Sequence, residues 1–307
     1  MRVFVTGASG FVGSAVVREL LSAGHEVVGM ARSDGSAVSL KEAGAEVHRG
    51  DLDDLDSLRA GAAASEGVIH TAYIHDFRDF AEAARTDLRA VETLGEALVD
   101  SGRPLLICSG TAFSPGVMAT EDNPGDPNRS HMYRLASEAA VMRFAERGVR
   151  ASVVRLPPSV HGEGDHGFVP RLVDIARAKG VSAYPGDGAN RWAAAHRFDV
   201  ARLFRLALES APAGTRLHAV AEEGVPVRGI AEAIGRGLGV PVTSVPHAET
   251  NDHFGWLGNF FALDLPASSA ATRERLGWRP VEGELLTDLT AGHYFGSAEH
   301  ISSPSGA

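Results

Sequence analysis

Three glycines near the start of the chain, Gly7, Gly10 and Gly13, follow the hydrophobic run Arg2-Val-Phe-Val-Thr6 and open an amphipathic stretch over 11–23. That order suits a turn that cradles a pyrophosphate. The first glycine permits a tight bend, Gly10 lets the backbone approach the phosphate, and Gly13 lets the helix pack close to the strand while its N-terminus faces the negative charge. A second strand ending at Met30 follows in the required order, so the spacing predicts dinucleotide binding. At the end of that strand a carboxylate would accept from a free ribose 2′-hydroxyl and repel a 2′-phosphate, whereas an arginine would pair with the phosphate. The sequence reads Met30-Ala-Arg-Ser33. Arg32 therefore predicts NADP(H) as the cofactor in preference to NAD(H).

Other reactive residue types give less. His131, His161, His166 and His196 fall near the loops expected around the site, yet they lack close metal-ligand spacing, so no metal is expected. Cys108 is the only cysteine and follows Leu105-Leu-Ile107, which predicts a buried strand residue and excludes an internal disulfide. The chain has only two lysines, Lys41 and Lys179.

These residues must be positioned by strands alternating with helices. Short Val/Ile-rich runs at 2–6, 26–30, 46–48, 67–70, 104–108 and 150–155 are separated by stretches long enough for a helix, most clearly 77–101 and 133–147. The pattern is α/β, a doubly wound parallel (Rossmann) sheet over 1–158. From 159 to 307 the texture changes to Gly/Pro-rich loops and amphipathic helices at 168–179 and 200–209, read as a smaller C-terminal substrate lobe, with segments around 190–222 returning to the core. A Ser/Gly-rich tail begins at Gly296 and is expected to fray. No apolar run reaches transmembrane length and no cleavable signal pattern opens the chain, so a cytoplasmic protein without a membrane partner is expected. A net charge of −10, without arginine-rich segments interleaved with aromatics, argues against nucleic acid.

The Thr6-Gly-x-x-Gly-x-x-Gly13 spacing resembles the extended and atypical short-chain dehydrogenases/reductases, the group of epimerases, dehydratases and related reductases. The likeness continues through Gly50-Asp-Leu-Asp-Asp54, His70-Thr-Ala72, Arg155-Leu-Pro-Pro-Ser-Val-His-Gly162 and Gly186-Asp-Gly-x-Asn-x-Arg-Trp192. It implies cofactor contacts from Gly7, Ser9, Gly10, Phe11, Val12, Gly13, Arg32, Asp51, Leu52, Thr71, Ala72 and Pro157, with Asp51 at the adenine and Pro157 beside the nicotinamide. It also implies a catalytic set: a Ser/Thr that binds the substrate oxygen, a Tyr that moves the proton, and a Lys one helical turn later that lowers the tyrosine pKa and holds the ribose. Thr111 fits the first role and Tyr133 the second. The lysine position is Ser137, since the sequence reads Tyr133-Arg-Leu-Ala-Ser137. Arg134, adjacent to Tyr133, is expected to point elsewhere on the helix. Tyr73 is a further candidate to line the nicotinamide pocket or donate a proton.

Two function classes stay open. One is an NADP(H)-dependent oxidoreductase or epimerase-like enzyme acting on a small carbonyl or secondary alcohol. The other is a cofactor-binding sensor or pseudoenzyme, with a non-redox isomerase or cyclase as a variant of the first. Trp192, Phe254, Trp256, Phe260 and Phe261 are read as core of the smaller lobe, some of them able to face an apolar substrate. The resemblance also implies a homodimer through the helices at 77–101 and 133–147, whose outer faces are expected to carry Ala83, Ala84, Ala90, Ala97, Ala139 and Ala140.

Overall fold

Val3, Phe4 and Val5 are fully buried on both sides of their strand, as are Leu105, Leu106 and Ile107. Such uninterrupted apolar runs suit strands covered by helices on both faces of a parallel sheet. In the computed structural model, which describes residues 1–74, 80–111, 115–124 and 134–296, the chain runs β1 (Arg2–Thr6), α1 (Phe11–Ser22), β2 (Glu26–Ala31), α2 (Asp34–Glu42), β3 (Glu46–Arg49), α3 (Leu55–Ala63), β4 (Gly67–His70), α4 (Phe80–Glu96), β5 (Pro104–Gly110), α5 (Leu135–Ala145) and β6 (Arg150–Leu156). It continues through β7 (Ser159–His161), α6 (Phe168–Lys179), β8 (Ser182–Pro185), β9 (Arg191–His196), α7 (Arg197–Ser210), β10 (Thr215–His218), β11 (Glu222–Pro226), α8 (Val227–Leu238) and β12 (Val242–Val245), then short helices, the last being Leu285–Thr290.

Seven strands form one parallel sheet in the order β3-β2-β1-β4-β5-β6-β10. Chain direction across the sheet reverses between β1 and β4, and there the carboxyl ends of the strands open a crevice. One apolar layer joins the sheet to α1, α2 and α7 through Val16, Leu20, Leu40, Phe204 and Leu208. The opposite layer joins it to α3, α4 and α5 through Leu58, Val91, Leu94, Leu98, Val141 and Phe144. The expected strands and helices are thus present, with ends displaced by a few residues.

A third apolar cluster, built by α6, α8, β8, β9 and the short helices, centres on Trp192, Phe254, Leu257 and Phe261. Of the segment around 190–222, β10 joins the main sheet beside β6, while β9 pairs with β7 and β11 in a separate three-stranded sheet. Trp256 departs from its expected place in this core. It is 55% exposed, with its ring tilted against Phe168. The alanine faces also need correction. Ala83, Ala90 and Ala140 turn into the monomer core because α4 and α5 pack on each other and on the sheet, and only Ala139 is exposed. The expected tail beyond Gly296, the start of the helix at Phe77, Tyr133 and His131 lie outside the described residues.

Candidate active site

The phosphate loop is shaped by close backbone approach. Gly7 has φ +66°, and a Cβ there would lie 2.5 Å from the amide of Ala72. A Cβ on Gly13 would lie 2.0 Å from the Gly7 carbonyl oxygen, so only glycine lets α1 start this close to β1. Gly10 differs. A Cβ there would meet only that carbonyl, at 3.2 Å, leaving its outer side open. Gly10 is also the N-cap of α1 and offers no side chain to the first-turn amides, and that turn holds no acidic residue. Ser9 and Gly10 are exposed, and Phe11 and Val12 are half-buried. A cradle open on one side and lined with uncapped amides fits a dinucleotide pyrophosphate.

At the end of β2, Ala31 is buried and Arg32 is exposed, with no ion-pair partner among the described residues. After β3, Asp51 Oδ1 accepts from the amides of Asp53 and Asp54 at 2.9 and 3.0 Å, which fixes the turn, and Leu52 is buried beneath it. Thr71 donates its hydroxyl to the Thr6 carbonyl at 2.8 Å, locking the loop after β4 onto the end of β1. Pro157 is buried just past β6. Thr111 is buried past β5, its amide donating to Leu156 at 2.9 Å. Thr71, Ala72, Thr111 and Pro157 therefore all lie at the carboxyl edge of the sheet, where the strands diverge.

A buried polar chain runs beneath this edge. Thr6 Oγ1 and His70 Nδ1 are 2.7 Å apart, and His70 Nε2 is 3.3 Å from Asp87 Oδ1. A carboxylate only accepts, so Nε2 carries a hydrogen toward Asp87. Ser137 donates to Asp87 Oδ2 at 2.5 Å, and Arg134 Nη2 donates to Oδ1 at 3.1 Å. Burial pushes the Asp87 carboxyl up, but the Arg134 charge and the hydrogen bonds from His70 and Ser137 outweigh it and hold the pKa down to about 2. Arg134 itself is described, although Tyr133, from which it is expected to point away, is not. It sits just ahead of α5, where Asp87 draws its guanidinium inward over the ring of Tyr73, 4.5 Å from the centroid. Ser137, at the lysine position, is fully buried and committed to Asp87.

The two lysines lie elsewhere, Lys41 near the end of α2 and Lys179 at the end of α6, where it donates to the Asp252 carbonyl. His161 is buried and 2.8 Å from Asp288, His196 accepts from the Phe198 amide at the start of α7, and the His166 ring packs edge-on to Phe11. Among the described residues no cluster of three or more His, Cys, Asp or Glu could hold a metal ion. Cys108 is buried, and burial pushes its thiol up, away from nucleophilic reactivity.

Sequence reasoning missed Asp87 and its hold on Arg134. A signal for Asp87 was available. The inward stripe of α4 runs Ala83, Asp87, Ala90, Val91, Leu94, Leu98, so an acid occupies a core position, which demands a buried partner. Arg134 gave no such signal, because the partner that turns it lies 47 residues away.

The parallel order, the switch point and the open glycine loop define a dinucleotide-binding α/β enzyme. Comparison with known proteins narrows the class. Residues 3–220 match the NAD dependent epimerase/dehydratase family, and the chain belongs to it. It is an oxidoreductase or epimerase of the short-chain dehydrogenase/reductase type. An uncharacterized protein of Schizosaccharomyces pombe is 50% identical over 299 residues, covering 96% of this chain and 100% of that one. A UDP-glucose 4-epimerase of Streptomyces lividans is 26% identical over 322 residues, covering 92% and 93%. Among solved structures, a dTDP-glucose 4,6-dehydratase from Streptomyces venezuelae with NAD and TYD bound superposes with a TM-score of 0.77 at 21% identity over 96% of each chain, a likeness of fold.

Proposed function

We propose that this protein is an NADP(H)-dependent oxidoreductase acting on a small, largely apolar carbonyl or the matching secondary alcohol. The observation that carries the cofactor choice is the end of β2, where a buried alanine stands at the position of the acid and the exposed Arg32 has no ion-pair partner among the described residues. In this reading the α1 amides beyond Gly10 hold the pyrophosphate, Arg32 the 2′-phosphate and Asp51 the adenine, while Thr71, Ala72 and Pro157 border the nicotinamide. The bound nicotinamide supplies or accepts the hydride. Thr111 orients the substrate oxygen, and Tyr133 or Tyr73 exchanges the proton.

Charge pairing in the smaller lobe supports an uncharged substrate over a sugar nucleotide. Arg191 is bound by Asp264 at 3.0 and 2.9 Å and Arg228 by Glu232 at 2.8 Å. Arg197 lies over the rings of Phe11 and Phe198. Beside them Phe168, Trp192 and Phe260 stack at centroid distances of 4.7 to 5.7 Å, with Phe168 two residues past the histidine that touches Phe11. The alternative, a cofactor-binding sensor or a non-redox isomerase or cyclase, draws support from Ser137 at the lysine position. A homodimer through α4 and α5 remains part of the proposal, although those helices spend Glu92 and Glu96 on intrachain pairs with Arg143 and Arg147; a monomeric mass by light scattering at micromolar concentration would exclude it.

Fluorescence titration with NADPH and NADH tests the cofactor assignment. A charge-assisted phosphate contact is worth about 1.5–3 kcal/mol, so Arg32→Ala should weaken NADPH about 10- to 150-fold and leave NADH within about twofold. Equal affinity for both cofactors in the unaltered protein would sink it.

A further inference from the structure

The site has lost the lysine of its resembled family but not its positive charge. Arg134 enters from the start of α5, and Asp87 on α4 holds its Nη2 at 3.1 Å. Asp87 in turn is fixed by Ser137 at 2.5 Å and by His70, so the guanidinium has one tethered position. That position is over Tyr73, with 4.5 Å between Cζ and the ring centroid. Tyr73 follows Ala72, whose backbone lies against the phosphate loop at Gly7, so the residue stands in the loop after β4 that borders the proposed cofactor cleft. Arg134 thus supplies the charge that the lysine would carry, while the serine at the lysine position fixes the acid that tethers it.

We infer that Arg134, tethered by Asp87, is the cationic positioning residue of this active site, and that it acts on Tyr73 as the group that exchanges the proton with substrate. This rests on the oxidoreductase reading above. In reduction, the carbonyl carbon accepts a hydride from the reduced nicotinamide dinucleotide while Tyr73 gives its hydroxyl proton to the carbonyl oxygen. A ketone becomes a secondary alcohol and an aldehyde a primary one, the dinucleotide is oxidised, and solvent reprotonates the phenolate. The cation over the ring favours the developing negative charge on the phenol oxygen. The other titratable groups at this locus are the Asp87 carboxylate on α4, His70 on β4 and the Cys108 thiol on β5, which burial pushes up, and Arg134 is the cation that lies over the Tyr73 ring.

The test begins without cofactor or substrate. The protein carries four tyrosines, Tyr73, Tyr133, Tyr184 and Tyr294. Each can be labelled at Cζ with ¹³C, assigned by its Tyr→Phe variant and titrated by NMR. Arg134→Met should raise the Tyr73 midpoint by about one pH unit, and Arg134→Lys should keep most of the native value. Should Arg134→Met fail to fold with Asp87 unpaired, Arg134→Met/Asp87→Asn removes both charges and is titrated in its place. An unchanged Tyr73 midpoint in a folded variant overturns the inference.

The second readout is NADPH oxidation with a panel of aromatic aldehydes and ketones, 4-nitrobenzaldehyde first. Tyr73→Phe should lose about 100-fold or more in kcat with NADPH affinity unchanged. Arg134→Met should displace the limb of the pH–rate profile in step with the NMR midpoint. Full activity in Tyr73→Phe, with loss in Tyr133→Phe, overturns it. If the unaltered protein reduces no member of the panel, the oxidoreductase reading fails on its own account, and the titration still decides the coupling of Arg134 to Tyr73.

Discussion

Replacing Asp87 by asparagine removes the one negative charge of the buried network while keeping its shape. The native carboxyl is held near pKa 2 against an ordinary 3.8, nearly two pH units lower, and at about 1.36 kcal/mol per unit this amounts to roughly 2.5 kcal/mol of stability. The substitution also leaves the Arg134 cation without its carboxylate, and breaking a buried pair from one side costs about 3–5 kcal/mol. Melting temperatures of larger domains move by about 2 °C or more per kcal/mol, so Asp87→Asn should melt about 5–10 °C lower at neutral pH. The sign with pH is also determined. A depressed carboxyl stabilises the fold above its unfolded value of 3.8 and loses that stabilisation as pH falls through about 2. Melting curves from pH 7 to 2 should therefore fall more steeply on the acid side for the native protein than for the variant. An Asp87→Asn protein that melts within about 1 °C of the parent at neutral pH, with the same acid limb, would refute the claim that this carboxylate is ionised and paired.

The same geometry makes other expectations concrete. Gly10→Val should fold, because a Cβ there meets only the Gly7 carbonyl at 3.2 Å, yet it should abolish cofactor binding by filling the open side of the cradle; a normal cofactor titration in the folded variant would refute the loop assignment. Ser137→Lys should lose stability without gaining turnover, since position 137 is fully buried against an Asp87 that already holds Arg134; a faster variant would mean that position 137 still reaches the ribose. Burial pushes the half-buried Asp165 carboxyl up to about 6, despite hydrogen bonds from the Gly167 amide and the Tyr294 hydroxyl. Its stabilising form is the protonated one, complete below the unfolded value of 3.8 and lost as pH rises through about 6. Melting temperature measured from pH 4 to 7 should consequently depend less on pH in Asp165→Asn than in the parent, and identical profiles would contradict the shift.

Most of the Rossmann half could be read from local pattern alone. Its strands are short apolar runs with glycine-marked exits, and Gly7, read as the turn glycine, has φ +66°, while a Cβ would meet backbone at Gly13, read as the packing glycine, and leave one side open at Gly10. The limits arise where a residue's role is set by something distant in sequence. Arg134 precedes the first turn of α5 and is captured by a carboxylate on α4, a partner that helical spacing from Tyr133 does not indicate. Trp256 has core chemistry but sits in a short 3-10 turn, Gly255–Leu257, that leaves half its ring surface open. Ala83, Ala90 and Ala140 look equally fit for either face of a helix, because alanine carries too little apolar surface to mark one. The absent lysine was visible at once. What replaced it required three elements to be brought together in space.

The central claim, hydride transfer in this pocket, is tested most directly by isotope. NADPH deuterated at the reactive C4 position is incubated with the protein and the carbonyl panel, and the products are analysed by mass spectrometry and ¹H NMR. Deuterium on the carbinol carbon of a secondary or primary alcohol, in an amount equal to the dinucleotide oxidised, is the predicted result. Tight NADPH binding with no deuterium in any product and no oxidation of the cofactor would contradict it, and would leave the chain as a dinucleotide-binding protein that performs no reduction.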